Sequence, residues 1–215
     1  MNIITSYTHI KHNQISVNGV IVLQSENKKM LVEFLGEAYK SIGISYPKFH
    51  KMDEQCKLGI IATEFALQQS NFLKNNILDK IAIVLSNAAS SIETDRHHQS
   101  SIADKTTYFP SPAVFVYTLP NIVIGEIAIK YKITGENAFF VSEKMDADLL
   151  VNYSEMLLTA NTDAVISGWV EVDGDSFEAF IFLIEKEKNI NKNTNFKTLN
   201  QTNINQLYNQ TPWTH

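Results

Sequence analysis

Residues 109–142 read FPSPAVFVYTLPNIVIGEIAIKYKITGENAFFVS. Three of the five prolines of the chain, Pro110, Pro112 and Pro120, fall here among large apolar side chains. Proline fixes φ and removes a backbone donor, so 108–121 is predicted as an irregular buried segment. Asn121 to Tyr131 follows as an apolar run, with Gly125 where another backbone can come close. AFFVS at 138–142 is short, β-prone and continuously apolar, the pattern of a buried strand.

The reading extends outward from there. Asp146 is placed to cap a helix whose buried side carries Leu149, Leu150, Tyr153, Met156 and Leu157. Strands are predicted over 163–172 and 177–184, joined by the turn Asp173-Gly174. Upstream, DKIAIVL at 79–85 suits a strand covered on both faces, and the polar stretch after it suits a loop and short helix at the sheet's carboxyl edge. Helices are predicted from Asn27 to about Ile42, ended by Gly43, and behind the N-cap Asp53 to about Ser70. Residues 2–10 and 15–23 read as strands, the second with the turn signal Asn18-Gly19 inside it. Strands alternating with helices make the body α/β, a sheet covered on both faces.

The chain has 215 residues, which at about 150 per domain favours one domain with or without a tail. After Lys188 the composition changes: 189–215 holds eight Asn and few apolar residues. Such a stretch buries too little surface to offset its ordering entropy, so a domain over 1–188 and a flexible Asn-rich tail over 189–215 are predicted. Net charge is -5, against a nucleic-acid partner, which calls for a basic face. One cysteine, Cys56, excludes an internal disulfide and disfavours a thiolate zinc site. No apolar run reaches the roughly 18–20 residues of a membrane span, and the polar start does not read as a signal peptide. A cytoplasmic protein is the expectation.

The order and spacing of several motifs resemble the N-terminal half of β-ketoacyl synthases over roughly residues 40–185. They are the proline-flanked segment with its Leu119-Pro120-Asn121, the Gly125-Glu126-Ile127-Ala128-Ile129 run, Gly135-x-Asn137, and DAVISGWVEV at 163–172 with its small-Gly-x-x-Glu turn. YPKFHKMDEQCKLGIIATEFAL at 46–67 and IAIVLSNAASSIETD at 81–95 resemble the family's second helix and the strand and loop after it. A narrower likeness is to short ketosynthase-like proteins of aryl polyene and flexirubin-type pigment pathways. The resemblance implies a thiolase-like half domain, a mixed sheet covered by helices on both faces, where whole family members have two such halves. No cofactor and no metal is implied.

In the family an activated cysteine sits just past the strand after Gly-x-Asn, at the start of a buried helix. By position that elbow is Ser142-Glu143-Lys144-Met145-Asp146, which holds no Cys. Glu143, Lys144 and Met145 thus mark the place of a lost nucleophile, and no catalytic residue is assigned. The family's two catalytic histidines belong to its second half. The resemblance therefore implies a non-catalytic subunit, of the kind that sets chain length in aromatic polyketide systems. Its partner is a second copy or a full-length ketosynthase, with an acyl carrier protein as a further candidate. Phe115, Tyr117 and Leu119, with Phe139, Phe140 and Val141, are the interface and acyl-cavity candidates. Two alternatives stand beside this. One is an acyl transferase or hydrolase using Ser142 or the His97-His98 stretch, where a metal site is also weighed. The other is a carrier-protein-binding module using Lys48, Lys51 and Lys57. Cys56 reads as a small core residue, Glu143-Lys144 as a weak ion pair, and Glu126 and Glu171 as structural or solvent-facing.

Overall fold

The computed structural model describes residues 1–27, 29–104, 106, 110–187 and 196–210. The first strand, β1 (Asn2–Lys11), is followed by a hairpin rather than one strand over 15–23. Asn18 and Gly19 both adopt positive φ, 51° and 81°, and divide the run into β2 (Gln14–Val17) and β3 (Val20–Gln24). Two consecutive left-handed residues are what a two-residue hairpin loop requires. Asn18 also accepts a hydrogen bond from the Tyr7 amide through its Oδ1, at 2.9 Å.

Two helices follow. α1 (Leu31–Ile42) buries Leu31, Phe34, Leu35 and Ala38 and ends at Gly43 in the left-handed region. Met30, within the predicted helix span, lies outside the helix and faces solvent. α2 (Glu54–Gln68) starts where Asp53 accepts from the Cys56 amide at 2.9 Å. It is buried nearly all round because α1 and α6 (Ile122–Tyr131) lie against it as well as the sheet. Gly59 allows the α2–α6 approach, since a Cβ there would stand 2.4 Å from Val123 Cγ2. The close approach expected at Gly125 is absent: nothing lies within 4 Å of a Cβ placed there.

After α3 (Phe72–Asn75) come β4 (Ile81–Asn87), α4 (Ile92–Ile102), α5 (Pro112–Phe115) and, past α6, β5 (Asn137–Val141). α7 (Ala147–Thr159), β6 (Ala164–Asp173) and β7 (Ser176–Lys186) complete the body. The strand order is β3-β2-β1-β7-β6-β4-β5. β4 runs parallel to β5 and β6, and the other pairings are antiparallel, so the sheet is mixed. Each residue of β4 is buried. Ile81, Ile83 and Leu85 enter the core under α1, α2 and α6, while Ala82 and Val84 enter the core under α7. That alternation is the two-faced burial its continuous apolar sequence predicts. Among the described residues no helix is long and apolar enough to cross a membrane.

Two further sequence expectations are corrected. The proline-bearing segment forms a short helix that is not buried, with Phe115, Val116 and Leu119 exposed. Nor is 196–210 a flexible tail. β8 (Lys197–Thr198) pairs with β1, and α8 (Gln201–Asn209) sits on the second face of the sheet beside α7. Leu199, Ile204 and Leu207 are buried there against Ile4, Leu158 and Ile184. The rest of the predicted tail lies outside the described residues. α8 is pinned at its end: the Tyr208 hydroxyl donates to Glu178 Oε2 at 2.8 Å and its ring stacks on His9 at 5.3 Å. Glu178 also meets His9 Nε2 at 2.7 Å and Lys11 Nζ at 3.0 Å.

Two outcomes are expected. Ile204→Ala should cost about 2–4 kcal/mol, because it empties a buried site. For a chain of this size that lowers the calorimetric Tm by roughly 5–10 °C, and an unchanged Tm would mean that α8 does not dock. Second, burial opposes ionisation of Glu178, but the hydrogen bonds and charge of His9, with Lys11 and Tyr208, prevail and pull its carboxyl from 4.5 to about 2. A depressed carboxyl stabilises the fold above its unfolded value and loses that contribution as pH falls from 4.5 towards about 2. Stability followed by circular dichroism should fall as pH drops across that window, and less steeply in Glu178→Gln.

Candidate functional site

The carboxyl ends of β4, β5 and β6 lie side by side, because these three strands are parallel. The loop after β4 is held by its own side chains. Asn87 is fully buried, donates through Nδ2 to Ser90 O at 2.7 Å and accepts from Ser90 N at 3.1 Å. That clasp bends the chain so that the next amides point outward, and Glu171 of β6 receives them. Its carboxylate accepts from Ala88 N at 2.6 Å and Ala89 N at 3.1 Å. Burial pushes the Glu171 carboxyl up, and the two amides work against that rise. Glu171 is thus a bracket between two strand ends.

The elbow after β5 joins the same edge. Ser142 N donates to Asn87 O at 2.8 Å, which carries the strand pairing one residue past β5. The Ser142 hydroxyl is buried without a hydrogen-bond partner among the described residues. Glu143 and Lys144 are exposed, and no ion pair joins them among the described residues. Met145 turns inward to the α7 core. Asp146 then accepts from Asp148 N and Leu149 N, both at 3.0 Å. A helix N-terminus stabilises negative charge through such free amides, and here Asp146 supplies that charge. α7 is not buried all round. It covers the sheet with Leu150, Val151, Ser154, Leu157 and Leu158 and turns Asp148, Asn152, Glu155 and Met156 to solvent.

The interface candidates fall into two groups. On β5, Phe139 packs towards the core of α2 and α6, Phe140 meets Tyr153 of α7 at 5.0 Å, and Val141 is 58% exposed. Around α5, Phe115 is 61% and Leu119 57% exposed, and Phe115 lies against the His98 ring at 5.4 Å. Tyr117 turns the other way. Its hydroxyl donates to Glu126 Oε1 at 3.0 Å, and Glu126 also pairs with Lys48 Nζ at 2.7 Å. Glu126 is 3% exposed, so it belongs to the interior. Burial, then the Glu126 charge, raises the Tyr117 hydroxyl. This three-residue network ties the α5 segment to α6 and to the 3₁₀ turn at Pro47–Lys51.

The remaining candidates scatter. Cys56 is buried, and burial, then Asp53 and Glu126, push its thiol well above the usual range, which suits a core residue. His97 lines a cleft of about 390 Å³ between the start of α2 and α4, with Asp53, Glu54, Gln55 and Lys57. Among the described residues no group of three His, Cys, Asp or Glu converges as a metal site. Of the lysines weighed for carrier binding, Lys51 is exposed, Lys57 lines that cleft and Lys48 is paired with Glu126.

Residues 35–193 match the family described as β-ketoacyl synthase, N-terminal domain. A search of curated proteins finds no match. Solved structures of similar fold include a type II PKS acyl-carrier protein in complex with its ketosynthase, at 12% identity and TM-score 0.61, covering 87% of this chain and 62% of that one. Another is the ishigamide ketosynthase/chain length factor, at 14% identity and TM-score 0.60, with the same coverage, so this chain spans under two thirds of both. A third is a ketosynthase in complex with its chain length factor from Xenorhabdus doucetiae, at 14% identity and TM-score 0.55, covering 85% of this chain and 78% of that one.

Replacing Glu171 tests the bracket at the strand ends. Glu171→Ala strands two backbone amides and should cost about 1–3 kcal/mol. Urea unfolding reads that loss, and a midpoint equal to wild type would show that water replaces the carboxylate freely.

Proposed function

Because the chain belongs to the β-ketoacyl synthase N-terminal-domain family, we propose that it is a non-catalytic, chain-length-factor-like subunit that works beside a full-length ketosynthase. The observation that carries this reading is the elbow. Where the family places a thiol, this chain has Glu143, Lys144 and Met145, with the first two in solvent. The amides of the following helix, which would favour a thiolate, are occupied by Asp146. The outer side of α7 is polar, which disfavours a buried reaction chamber along it.

The partner is assigned to the β5 edge and the exposed apolar residues Phe115 and Leu119. A subunit of this kind acts by shaping the space its partner offers a growing acyl chain. The similarity in fold to ketosynthase and chain length factor complexes supports that reading. Pigment biosynthesis of the aryl polyene or flexirubin type, in the cytoplasm, is the assigned setting. An acyl carrier protein would approach the assembled pair.

The experiment has two arms. Incubation with acyl thioesters followed by intact-mass measurement should show no adduct, in wild type and in Cys56→Ala alike. Co-expression with a ketosynthase encoded beside it should yield a complex on sizing. A stoichiometric adduct retained in Cys56→Ala, or failure of the two proteins to co-elute, overturns the proposal.

A further inference from the structure

The outer edge of β1, away from β7, is shared by two partners. The hairpin holds its later part, where Asn18 N donates to Tyr7 O at 2.9 Å, and β8 holds its start, where Leu199 N donates to Asn2 O at 2.9 Å. In an antiparallel ladder the residues that face one edge alternate, yet Asn2 and Tyr7 are out of step. A shift of register between Ile4 and Ser6, seen in the pairing with β7, changes the phase of the strand. The edge ladder breaks there: β8 pairs as far as Ile4, and the hairpin takes over from Tyr7 and Thr8.

A cavity of about 400 Å³ opens at the break, between β1, the turn at Asn18 and the β8–α8 segment. Its charge is of one sign. Lys197 lines it and forms no ion pair among the described residues, and no Asp or Glu is found in its lining. Ser6 lines it too. That residue is 1% exposed, and its hydroxyl is buried without a hydrogen-bond partner among the described residues, where such groups are ordinarily paired. Buried Ile4 and Leu207 give the cavity apolar wall. On the far side the Tyr7 hydroxyl donates to Gln210 Oε1 at 3.1 Å, which leaves the Gln210 amide nitrogen as a further donor. The carbonyl end of α8 lies at this wall, a partial charge of about half a unit against the full charge of Lys197.

We infer that this cavity binds a small organic carboxylate with an apolar body. The carboxylate meets Lys197 and gives the Ser6 hydroxyl the acceptor it lacks, through charge-assisted hydrogen bonds. The body lies against Ile4 and Leu207. β1 and the hairpin form one wall and β8 with α8 the other, so the bound acid clips the C-terminal helix to the sheet. A ligand that binds only the docked form stabilises that form by mass action. Strands β7, β6 and β4 lie between β1 and β5 in the sheet, so the site is separate from the elbow and independent of the proposed function.

Hexanoate, hexanamide and hexylammonium share a tail and differ in the charge of the head, so together they test the site on the full chain. Hexanoate at about ten times its dissociation constant should raise the Tm by roughly 3–6 °C. It should also slow amide exchange across 197–209, and the other two at the same concentration should do neither. In calorimetric titrations Lys197→Gln should weaken hexanoate binding about tenfold or more, while Lys74→Gln, at an exposed lysine elsewhere, should leave it unchanged. Ser6→Ala has a readout that a structural role would not give. Its hydroxyl is unpaired, so the variant should be at least as stable as wild type and yet bind hexanoate about three- to tenfold more weakly. Absence of saturable binding of both hexanoate and benzoate to wild type overturns the inference. So does equal binding of hexanamide, or an affinity that Lys197→Gln leaves unchanged.

Discussion

Strand β7 hydrogen-bonds along both its edges, to β1 on one side and β6 on the other, and its residues Ala179 to Glu185 are all buried. It is the seam between an antiparallel meander and a parallel half. The seam closes tightly at one point. A Cβ on Gly168 of β6 would stand 2.1 Å from Phe180 O, so only glycine lets these two strands approach in this register. Everything at the functional edge inherits its position from this contact. β6 sets the place of β4, and β4 sets that of β5 and of the elbow that follows it.

Elements with one consistent period were legible in the sequence. β4, α1, α2 and α7 each have an apolar pattern that matches one face or two, and the structure uses it except at Met156, expected on the buried side of α7 and turned to solvent. α8 carried the same kind of signal. Ile204, Leu207 and Tyr208 follow the cap residue Asn200 at helical spacing, and Asn200 accepts from Asn203 N at 2.8 Å. The high Asn content around it hid that pattern, because composition averages over a stretch while packing needs only one stripe. The α5 segment failed in the opposite direction. Its large apolar residues suggested burial, yet among its described residues Phe115, Val116 and Leu119 are exposed and Tyr117 turns in, drawn by the Glu126 carboxylate.

At the candidate site the strand before 142–146 and the cap Asp146 after it were legible in the sequence, while the elbow's place between them was implied by the family resemblance. What was not legible depended on partners remote in sequence. Glu171 meets the amides of Ala88 and Ala89, and Lys48 meets Glu126, only once the sheet has formed. A carboxylate placed structurally by default turned out to set the shape of the loop, and periodicity carries no trace of such a role.

The cap at Asp146 bears on what a thiol at this turn could do. A thiol placed at position 144 would sit near a helix start whose partial positive charge is already neutralised by a carboxylate. It would behave as an ordinary surface thiol, with a pKa near about 8.5 and little thiolate at neutral pH. An activated thiol here would thus take at least two changes, the gain of sulfur and the surrender of the cap, and the second removes a helix-stabilising contact worth about 1 kcal/mol. Neither change activates a thiol without the other, so no single substitution builds a reactive sulfur at this turn.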